Sequence, residues 1–213
     1  MITLQHIVPE PLVNQISEAS QVWNCQVTFN SKEKYIVHAE SGKGKSTLIH
    51  ILYGLRNDYT GSITVDNMEL KSLSREDWST VRQKYFSIIF QDLRLFGNFT
   101  AYDNLKIKTD LNENNELLEK ALEMAEFLGV NQVLKKRSVL LSYGERQRIA
   151  IIRALSQPFS MLLMDEPFSH LDDKNIEKAV ELIEETCAKN NAGWIMSSLG
   201  NTFSVDFDHS VSL

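Results

Sequence analysis

Residues 36–52 constrain the fold of this chain more than any other stretch. Ile36 and Val37 are apolar and β-branched, which predicts a buried strand. A loop of small residues follows and ends at Gly44, and the apolar spacing after Lys45 is typical of a helix. A strand that passes through a glycine-rich turn into a Lys-Ser pair and a helix has the order of a phosphate-binding P-loop. The stretch therefore predicts a phosphate site at this turn.

The residue types of the loop explain how it would hold phosphate. Gly42 and Gly44 can adopt backbone angles that other residues avoid, so successive N–H groups can point into one concavity. The start of the helix adds unpaired N–H groups and the positive end of its dipole. Lys45 would reach the β- and γ-phosphates, and the Ser46 hydroxyl would ligate Mg²⁺. A turn that merely joined a strand to a helix would not call for Lys-Ser after the second glycine.

Composition excludes several classes of protein. A chain of 213 residues can bury one substantial core, and its 43% hydrophobic and 23% charged residues are ordinary for a soluble globular protein. No apolar run approaches the ~18 residues that span a membrane, and the first ten residues lack the features of a signal peptide. Cys25 and Cys187 fit no metal spacing, which predicts reduced thiols. The net charge of -6 argues against a broad nucleic-acid face, and we expect a cytosolic protein.

Short apolar strands alternate with helical segments, which predicts a mainly parallel sheet with helices on both faces. A helix is expected over 74–84, capped by Ser74 with Asp77 three residues later. Near the N-terminus we expect an edge strand over 1–8, and a turn over 58–61. The other predicted strands begin or lie at 22–29, 35–37, 62–66, 85–90, 161–164, 193–196 and 205–213.

The residue pattern changes between residues 92 and 139, where no strand-like runs occur. From Glu116 to Leu128, leucine and alanine recur at helical spacing with acids and lysines between them. This block predicts a helical subdomain inserted into the α/β core.

Two acids follow the apolar strand 161–164 directly. A strand that ends in this way delivers Asp165 and Glu166 to the carboxyl edge of the sheet, where ligands bind in open α/β folds. Asp165 would hold Mg²⁺, through water or Ser46, and Glu166 would orient and deprotonate an attacking water. A solvated acidic turn is the plain alternative, and the P-loop upstream makes it the minor one.

A second polar motif runs from Leu141 to Arg148, between the P-loop and the two acids. Ser142 followed by a glycine and a polar helix start predicts an outward-facing helix cap suited to a phosphate. An ordinary helix cap is the alternative.

Five segments in one order carry a resemblance to a known family. The chain resembles the ATP-binding subunit of ABC transporters over nearly its whole length. The stretch 95–105 looks most like the branch that serves lipoprotein release, macrolide export and cell division. The five segments are the P-loop (39–46), the glutamine loop at Gln91, the signature (141–145), the acidic strand end (165–167) and the D-loop (169–172).

The resemblance implies a fold. It would be α/β, with a P-loop NTPase (RecA-like) core of mostly parallel sheet, an N-terminal antiparallel β part and the inserted helical subdomain. Residues 1–213 would form a single ATP-binding domain. Its core would comprise 1–91 and 140–213, and its helical subdomain about 92–139.

The resemblance also implies an assembly and a location. Two such subunits, expected to be identical, would sandwich two ATP molecules. Each ATP would lie on the P-loop of one subunit and be covered by Ser142 and Gly144 of the other. The helical subdomain would receive a coupling helix from integral membrane permease subunits. The protein would then lie at the cytoplasmic face of the cell membrane, and no nucleic acid is expected as a partner.

Roles for single residues follow from the same resemblance. Glu166, Gln91 and Lys45 would be catalytic in ATP hydrolysis. Mg²⁺ would be held by Ser46, Gln91 and Asp165. ATP would be bound by Ala39, Glu40, Ser41, Gly42, Lys43, Gly44, Lys45, Ser46, Thr47, Ser142 and Gly144.

Several positions depart from the family pattern. Ala39 and Tyr143 replace glycines, and Glu145 replaces glutamine. The largest change is at Ser198, where the family has a switch histidine that contacts the γ-phosphate. We therefore expect hydrolysis to be slow but real. Residues 9–21 also contain no aromatic side chain to stack on adenine, and the nearest one, Trp23, is expected in the core.

The sequence is compatible with three functions. The leading one is an ATPase that powers a membrane transporter or membrane-remodelling complex. A soluble ABC-type ATPase acting on nucleic acid or ribosomes usually carries two fused cassettes or a long coiled-coil insertion, whereas this chain has one cassette and a short insert. A nucleotide-gated binding module with little turnover is favoured by the missing histidine.

Overall fold

A computed structural model describes residues 1–111, 115–200 and 202–213 of the chain. The strands are β1 (Ile2–Pro9), β2 (Gln26–Phe29), β3 (Lys34–His38), β4 (Tyr59–Val65), β5 (Met68–Glu69), β6 (Phe86–Ile89), β7 (Met161–Asp165), β8 (Gly193–Ser198) and β9 (His209–Ser212). The α-helices are α1 (Lys45–Leu52), α2 (Arg75–Lys84), α3 (Ala101–Asp110), α4 (Asn115–Phe127), α5 (Tyr143–Leu155) and α6 (Asp173–Asn190).

Five strands form a parallel sheet in the order β6-β7-β8-β3-β9. Side chains alternate between its faces, so Met161 and Leu163 of β7 join one core cluster while Leu162 and Met164 join the other. Because both faces are buried, the strand shows a continuous apolar run rather than alternation. The predicted mainly parallel sheet is confirmed.

Different elements cover the two faces of this sheet. On one face, Leu48 of α1 and Val81 of α2 share a cluster with Ile63 of the N-terminal β part. On the other face, α3, α4, α5 and α6 share a cluster that includes Ile152 and Ile183. Helices therefore cover both faces, as the alternating pattern predicted.

A second, antiparallel sheet has the order β2-β1-β4-β5. Strand β1 pairs on both sides, so the prediction that it is an edge strand was wrong. The predicted turn at 58–61 was also wrong, because β4 begins at Tyr59. A Cβ at Gly61 would lie 2.4 Å from the carbonyl oxygens of Gln5 and His6, where the register with β1 shifts. This glycine allows a close backbone approach at a bulge, and does not mark a turn.

The predicted strand over 22–29 is shorter in the structure, where β2 begins at Gln26. Val22 and Trp23 are buried in the loop that precedes it. Their apolar character reflects burial without strand pairing.

All the named elements among the described residues between β6 and β7 are helices, and none is a strand. The helix predicted from Glu116 is α4, and it packs with α3 and α5 in one cluster. The capping box predicted at Ser74 and Asp77 is present, and α3 begins with a second one at Thr100. The boundaries of the subdomain at 92 and 139 stay a prediction. None of the described helices combines the length and apolar character needed to cross a membrane.

Candidate functional site

The glycine-rich loop lies at the carboxyl end of β3, between His38 and α1. Gly44 caps α1 with a φ of 101°, and a Cβ there would lie 2.5 Å from Cδ1 of Leu12 and 3.2 Å from the Trp23 ring. Gly42 has a φ of 81° with open space around it. Both glycines take backbone angles that favour glycine, and Gly44 is required by its neighbours as well.

Trp23 packs against this loop. Its side chain is 2% exposed, and its Nε1 donates to the carbonyl oxygen of Lys43 at 3.5 Å. The expectation that Trp23 is buried is met, although the residue lies outside a strand. The ring fixes the position of the loop at the point where Gly44 has no side chain.

Lys45 lies across the mouth of the loop. Its Nζ donates to the carbonyl oxygens of Ala39 at 2.8 Å and Glu40 at 3.2 Å, and lies 3.5 Å from Oε1 of Glu166. The lysine side chain is only 6% exposed, so burial and three oxygen atoms hold its ammonium group. It is placed to exchange these oxygens for those of a phosphate.

The remaining loop residues leave the mouth open. Glu40, Ser41 and Lys43 are exposed, whereas Ser46 and Thr47 lie in the first turn of α1 and are half-buried. A cavity of about 400 Å³ adjoins the loop on the side of Leu12, Ile16 and Trp23. The three predicted metal ligands, Ser46, Gln91 and Asp165, all offer the oxygen donors that Mg²⁺ prefers.

The acidic strand end is held by a serine that the sequence did not single out. Ser197 of β8 lies beside Asp165 of β7, and its hydroxyl donates to Oδ1 of Asp165 at 2.7 Å. The same hydroxyl accepts the backbone N–H of Glu166 at 3.1 Å. Glu166 takes a φ of 46°, which turns its side chain away from the strand direction. One buried hydroxyl thus fixes both acids.

Gln91 completes a convergence of side chains at the loop. Its Nε2 donates to Oε2 of Glu166 at 3.4 Å, while Oε1 of Glu166 faces Lys45. The structure therefore brings Lys45, Gln91 and Glu166 together, although they are far apart in the sequence. Their proximity depends on the parallel order of β3, β6 and β7, each of which ends at this edge.

Ser198 ends β8 next to His38 of β3. Its side chain is 2% exposed, and its Oγ accepts the backbone N–H of Gly200 at 3.2 Å. It lines a small cavity of about 90 Å³ together with Glu166, Ser169 and Phe203. The residue at the expected histidine position is therefore a buried serine close to the acid pair.

The predicted helix cap at Ser142 is present. Ser142 Oγ accepts the N–H of Glu145 at 3.3 Å, and the Glu145 carboxylate accepts the N–H of Ser142 at 2.8 Å. The backbone N–H of Ser142 holds the pKa of Glu145 below its usual value. Ser142 is exposed and Gly144 half-buried, so this helix start faces outward.

Tyr143 links this cap to two other segments. Its hydroxyl donates to the carbonyl oxygen of Gln91 at 3.3 Å, and its ring centroid lies 4.0 Å from that of His170. The guanidinium of Arg146 covers the ring at 4.8 Å. The tyrosine in place of a glycine therefore joins the signature to the glutamine loop and the D-loop within one subunit.

Two residues of α5 for which the sequence predicted no role also hold this region. Buried Gln147 donates to the carbonyl oxygen of Pro167 and accepts the N–H of His170. Arg153 donates to the carbonyl oxygens of Leu93 and Arg94, each at 2.7 Å. A polar residue on the apolar face of a predicted helix was the available signal for Gln147.

Replacement of Ser197 by alanine should lower the free energy of unfolding by about 1–3 kcal/mol, because a buried carboxylate and a backbone N–H lose their partner. Denaturant unfolding measures the change. The exposed Ser210 provides a control, and its alanine variant should stay within about 0.5 kcal/mol of the wild type. Equal stabilities of the two variants would contradict the assigned role of Ser197.

Comparison with known proteins places this geometry in a family. The family model described as "ABC transporter" matches residues 22–169. The lipoprotein-releasing system ATP-binding protein LolD of Buchnera aphidicola subsp. Schizaphis graminum is 35% identical over 164 residues, which cover 76% of this chain and 72% of that protein. The phosphonates import ATP-binding protein PhnC of Fusobacterium nucleatum is 29% identical over 197 residues, covering 87% and 79%.

Solved structures agree at the level of the fold. A bacterial ABC transporter cassette in its dimeric form matches with a TM-score of 0.86 and 22% identity, covering 100% of this chain and 94% of that one. The same cassette in a post-hydrolysis state bound to ADP and Pi matches with a TM-score of 0.79. The predicted P-loop NTPase fold and the resemblance to the lipoprotein-release branch are confirmed, and the chain belongs to the ABC transporter family of ATP-binding proteins.

Proposed function

We propose that this protein binds and hydrolyses ATP and thereby powers an ABC transporter or a related membrane complex. The observation that carries this proposal is the convergence of Lys45, Gln91 and Glu166 at the mouth of the glycine-rich loop. The Glu166 carboxylate lies 3.5 Å from the Lys45 ammonium group and 3.4 Å from the Gln91 amide. These are the groups needed to hold a phosphate and direct water to it.

The nucleotide would lie with its phosphates on residues 39–47. Backbone N–H groups of the loop and the start of α1 would hold the phosphate oxygens, and Lys45 would leave the carbonyl oxygens of Ala39 and Glu40 to reach them. The cavity of about 400 Å³ next to the loop has room for the base. Its walls there are the aliphatic Leu12 and Ile16 and the edge of Trp23, so we propose that adenine packs on apolar side chains.

The oxygen donors of this site fit Mg²⁺. In phosphate sites Mg²⁺ takes one or two carboxylates and completes its shell with other oxygens, phosphate and water, so Asp165 with Ser46 and Gln91 would suffice. The bound ion would neutralise charge that develops on the phosphates. Ser197 keeps one oxygen of Asp165 fixed by its 2.7 Å hydrogen bond, and so orients the carboxylate for this role.

Hydrolysis would use water as the nucleophile. Glu166 would accept a proton from the water while the oxygen of that water forms a bond to the γ-phosphorus. At the same time, the bond between the γ-phosphorus and the bridging oxygen would break, and ADP would leave with that oxygen. Gln91, hydrogen-bonded to Glu166, would position the water. Ser198 offers only a short hydroxyl where the family has a histidine, so we expect slow turnover. The same replacement of the histidine by Ser198 favours a second candidate function, a nucleotide-gated binding module with little turnover.

Assembly would complete the site. The outward-facing cap at Ser142, with Gly144 behind it, would cover an ATP molecule held on the P-loop of a second, identical subunit. Tyr143 fills the place of a glycine, and its contacts with Gln91 and His170 keep its ring against its own subunit. We propose that the cap reaches the partner's γ-phosphate through Ser142 and the backbone of Gly144.

A cleft lined by residues of both the core and the helical subdomain would receive the membrane subunits. It has a volume of about 270 Å³, is lined by Tyr53, Phe90 and Phe96, and leaves Phe96 54% exposed. Burial lowers the pKa of Lys108 to about 8 and of Arg153 to about 10 in the same cleft. Both groups stay charged at neutral pH, so an acidic side chain on a docking helix would be attracted to them. The protein would thus lie at the cytoplasmic face of the membrane, with residues of about 92–139 turned toward its permease.

Lys45→Ala tests the nucleotide site directly. We expect its affinity for ATP, measured by calorimetry with Mg²⁺, to fall at least about tenfold, because a charged contact to the phosphates is lost. Lys189→Ala, an exposed lysine on α6, should bind ATP as the wild type does. Absence of ATP binding by the wild type, or equal affinities of the two variants, would reject the proposed site.

A further inference from the structure

A broad groove lies outside the nucleotide site, between the end of α1, the start of β4 and one face of α2. It has a volume of about 800 Å³, within the range of ligand-binding clefts. We name it the basic groove, and its charged and aromatic lining consists of Arg56, Lys71, Arg75, Arg82, Tyr59 and Trp78. None of the described residues that line it lines the cavity beside the P-loop. It is therefore a separate feature of the molecule.

The groove is positively charged in a chain whose net charge is -6. Its described lining includes four cationic side chains and no acidic one. Arg56 is paired with Asp58, which lies next to the groove. Of the nearby acids, Glu69 accepts the N–H of Ile63, and Asp77 belongs to the cap of α2. Three cations thus remain without a carboxylate among the described ion pairs.

Two of the cations, Lys71 and Arg82, are held in place by the walls of the groove. Lys71 donates to the carbonyl oxygen of Tyr59, and its Nζ lies 4.2 Å from the centre of that ring. Arg82 donates to the carbonyl oxygens of Tyr53 and Gly54, and its guanidinium lies 5.1 Å from the centre of the Trp78 ring. Each of these side chains keeps further N–H donors, so the groove presents a fixed set of donors at low entropic cost.

The remaining walls are apolar. Trp78 packs against Gly54 so closely that a Cβ at Gly54 would lie 2.4 Å from the ring, which fixes the ring as one wall. Leu55, which is 43% exposed, and Leu73 add aliphatic surface. Arginine and lysine donors suit phosphate oxygens, and an apolar wall beside them suits an organic substituent. This combination distinguishes an organic phosphate from a bare inorganic anion.

We propose that the basic groove binds the phosphate group of an anionic organic phosphate, with Lys71, Arg75 and Arg82 on the phosphate and Trp78 on the organic part. Two sources carry this chemistry, a phospholipid headgroup and a free phosphorylated metabolite. The proposal does not depend on ATP binding or hydrolysis at the P-loop.

Tryptophan fluorescence can report this binding in the intact chain. Trp23 and Trp194 are each 2% exposed, whereas Trp78 is half-buried in the groove. Titrations would use dihexanoyl phosphatidylglycerol for the lipid source and glycerol 1-phosphate for the free source, without nucleotide, because ATP is itself an organic phosphate and would compete for the groove. We expect a saturable change that weakens as salt is added.

The two probes separate the sources. Saturable binding of both supports recognition of a free organic phosphate, and binding of phosphatidylglycerol alone supports a lipid headgroup. Zwitterionic dihexanoyl phosphatidylcholine should bind more weakly than phosphatidylglycerol. Absence of saturable binding by both anionic probes overturns the proposal.

A pair of variants locates the site. Lys71→Glu combined with Arg75→Glu should weaken binding at least about tenfold, because two charged contacts are lost. Lys174→Glu combined with Lys189→Glu makes the same change of charge on α6 and should bind within about twofold of the wild type. The neutral pair Lys71→Gln and Arg75→Gln repeats the test if the charge reversal disturbs folding, as judged by thermal unfolding. Equal binding by groove and control variants overturns the proposal, because net charge alone would then explain affinity.

Discussion

Glu166→Gln should lower the rate of ATP hydrolysis at least about a hundredfold, because a general base in a proton transfer contributes roughly 10²–10⁴ in rate. Glutamine has almost the same shape as glutamate and cannot accept the proton of the attacking water. The contact with Gln91 at 3.4 Å and the position of the turn, fixed by Ser197, need no carboxylate charge. The variant should therefore fold and bind ATP while turnover is lost. Phosphate release by purified protein measures the effect.

The same variant tests assembly. With ATP and Mg²⁺ but no turnover, two subunits should remain joined, and size-exclusion chromatography with light scattering should show twice the mass of the protein without nucleotide. Glu185→Gln serves as a control because Glu185 is exposed on α6 and pairs with Lys189. It should hydrolyse ATP at the wild-type rate. Equal rates of phosphate release by the wild type and Glu166→Gln would refute hydrolysis through Glu166. Rates that are equal and no higher than background would leave the binding module.

Gly44→Ala should lower the free energy of unfolding by about 2–4 kcal/mol. A side chain at a φ of 101° costs about 1–3 kcal/mol in backbone strain. Its Cβ would also lie 2.5 Å from Leu12 and 3.2 Å from Trp23, which forces two buried side chains apart. Because native domains are stable by only about 5–15 kcal/mol, the loss is large. Urea unfolding gives the stability, and calorimetry should show weakened ATP binding by the folded fraction.

Gly42→Ala is the matched control for this experiment. Its φ of 81° brings backbone strain, but nothing lies within 4 Å of its Cβ. We expect a loss of about 1–2 kcal/mol, less than for Gly44. The difference between the two variants isolates the contact with Leu12 and Trp23. Losses of the same size would show that this contact contributes nothing.

The sequence predicted those parts of the site that depend on short-range chemistry. Gly42, Gly44 and Lys45 lie within four residues, and their spacing alone determines a loop that opens into a helix. The caps at Ser74 and Ser142 also depend on side chains only three residues apart. Such features follow from local rules because every atom involved lies within one turn.

The features that the sequence missed depend on residues distant along the chain. Gly61 resembled a turn residue because the backbone of β1, which comes within 2.4 Å of its Cβ position, belongs to residues more than fifty positions earlier. Ser197 gained its role only when β8 came to lie beside β7. Trp23 was expected in a strand because burial in a loop and burial in a strand leave the same apolar signature. The roles of the site residues in binding and catalysis stay predictions that the variants above examine.

Helix α5 links two segments of the site that lie far apart in the sequence. Its first residue, Tyr143, contacts the carbonyl oxygen of Gln91, and Arg153 near its far end holds the carbonyl oxygens of Leu93 and Arg94. Between them, Gln147 grips the segment from Pro167 to His170. A helix of 13 residues is a rigid element about 20 Å long. Because one helix contacts both segments, we expect a displacement of residues 91–94 to move the segment from Pro167 to His170 with it.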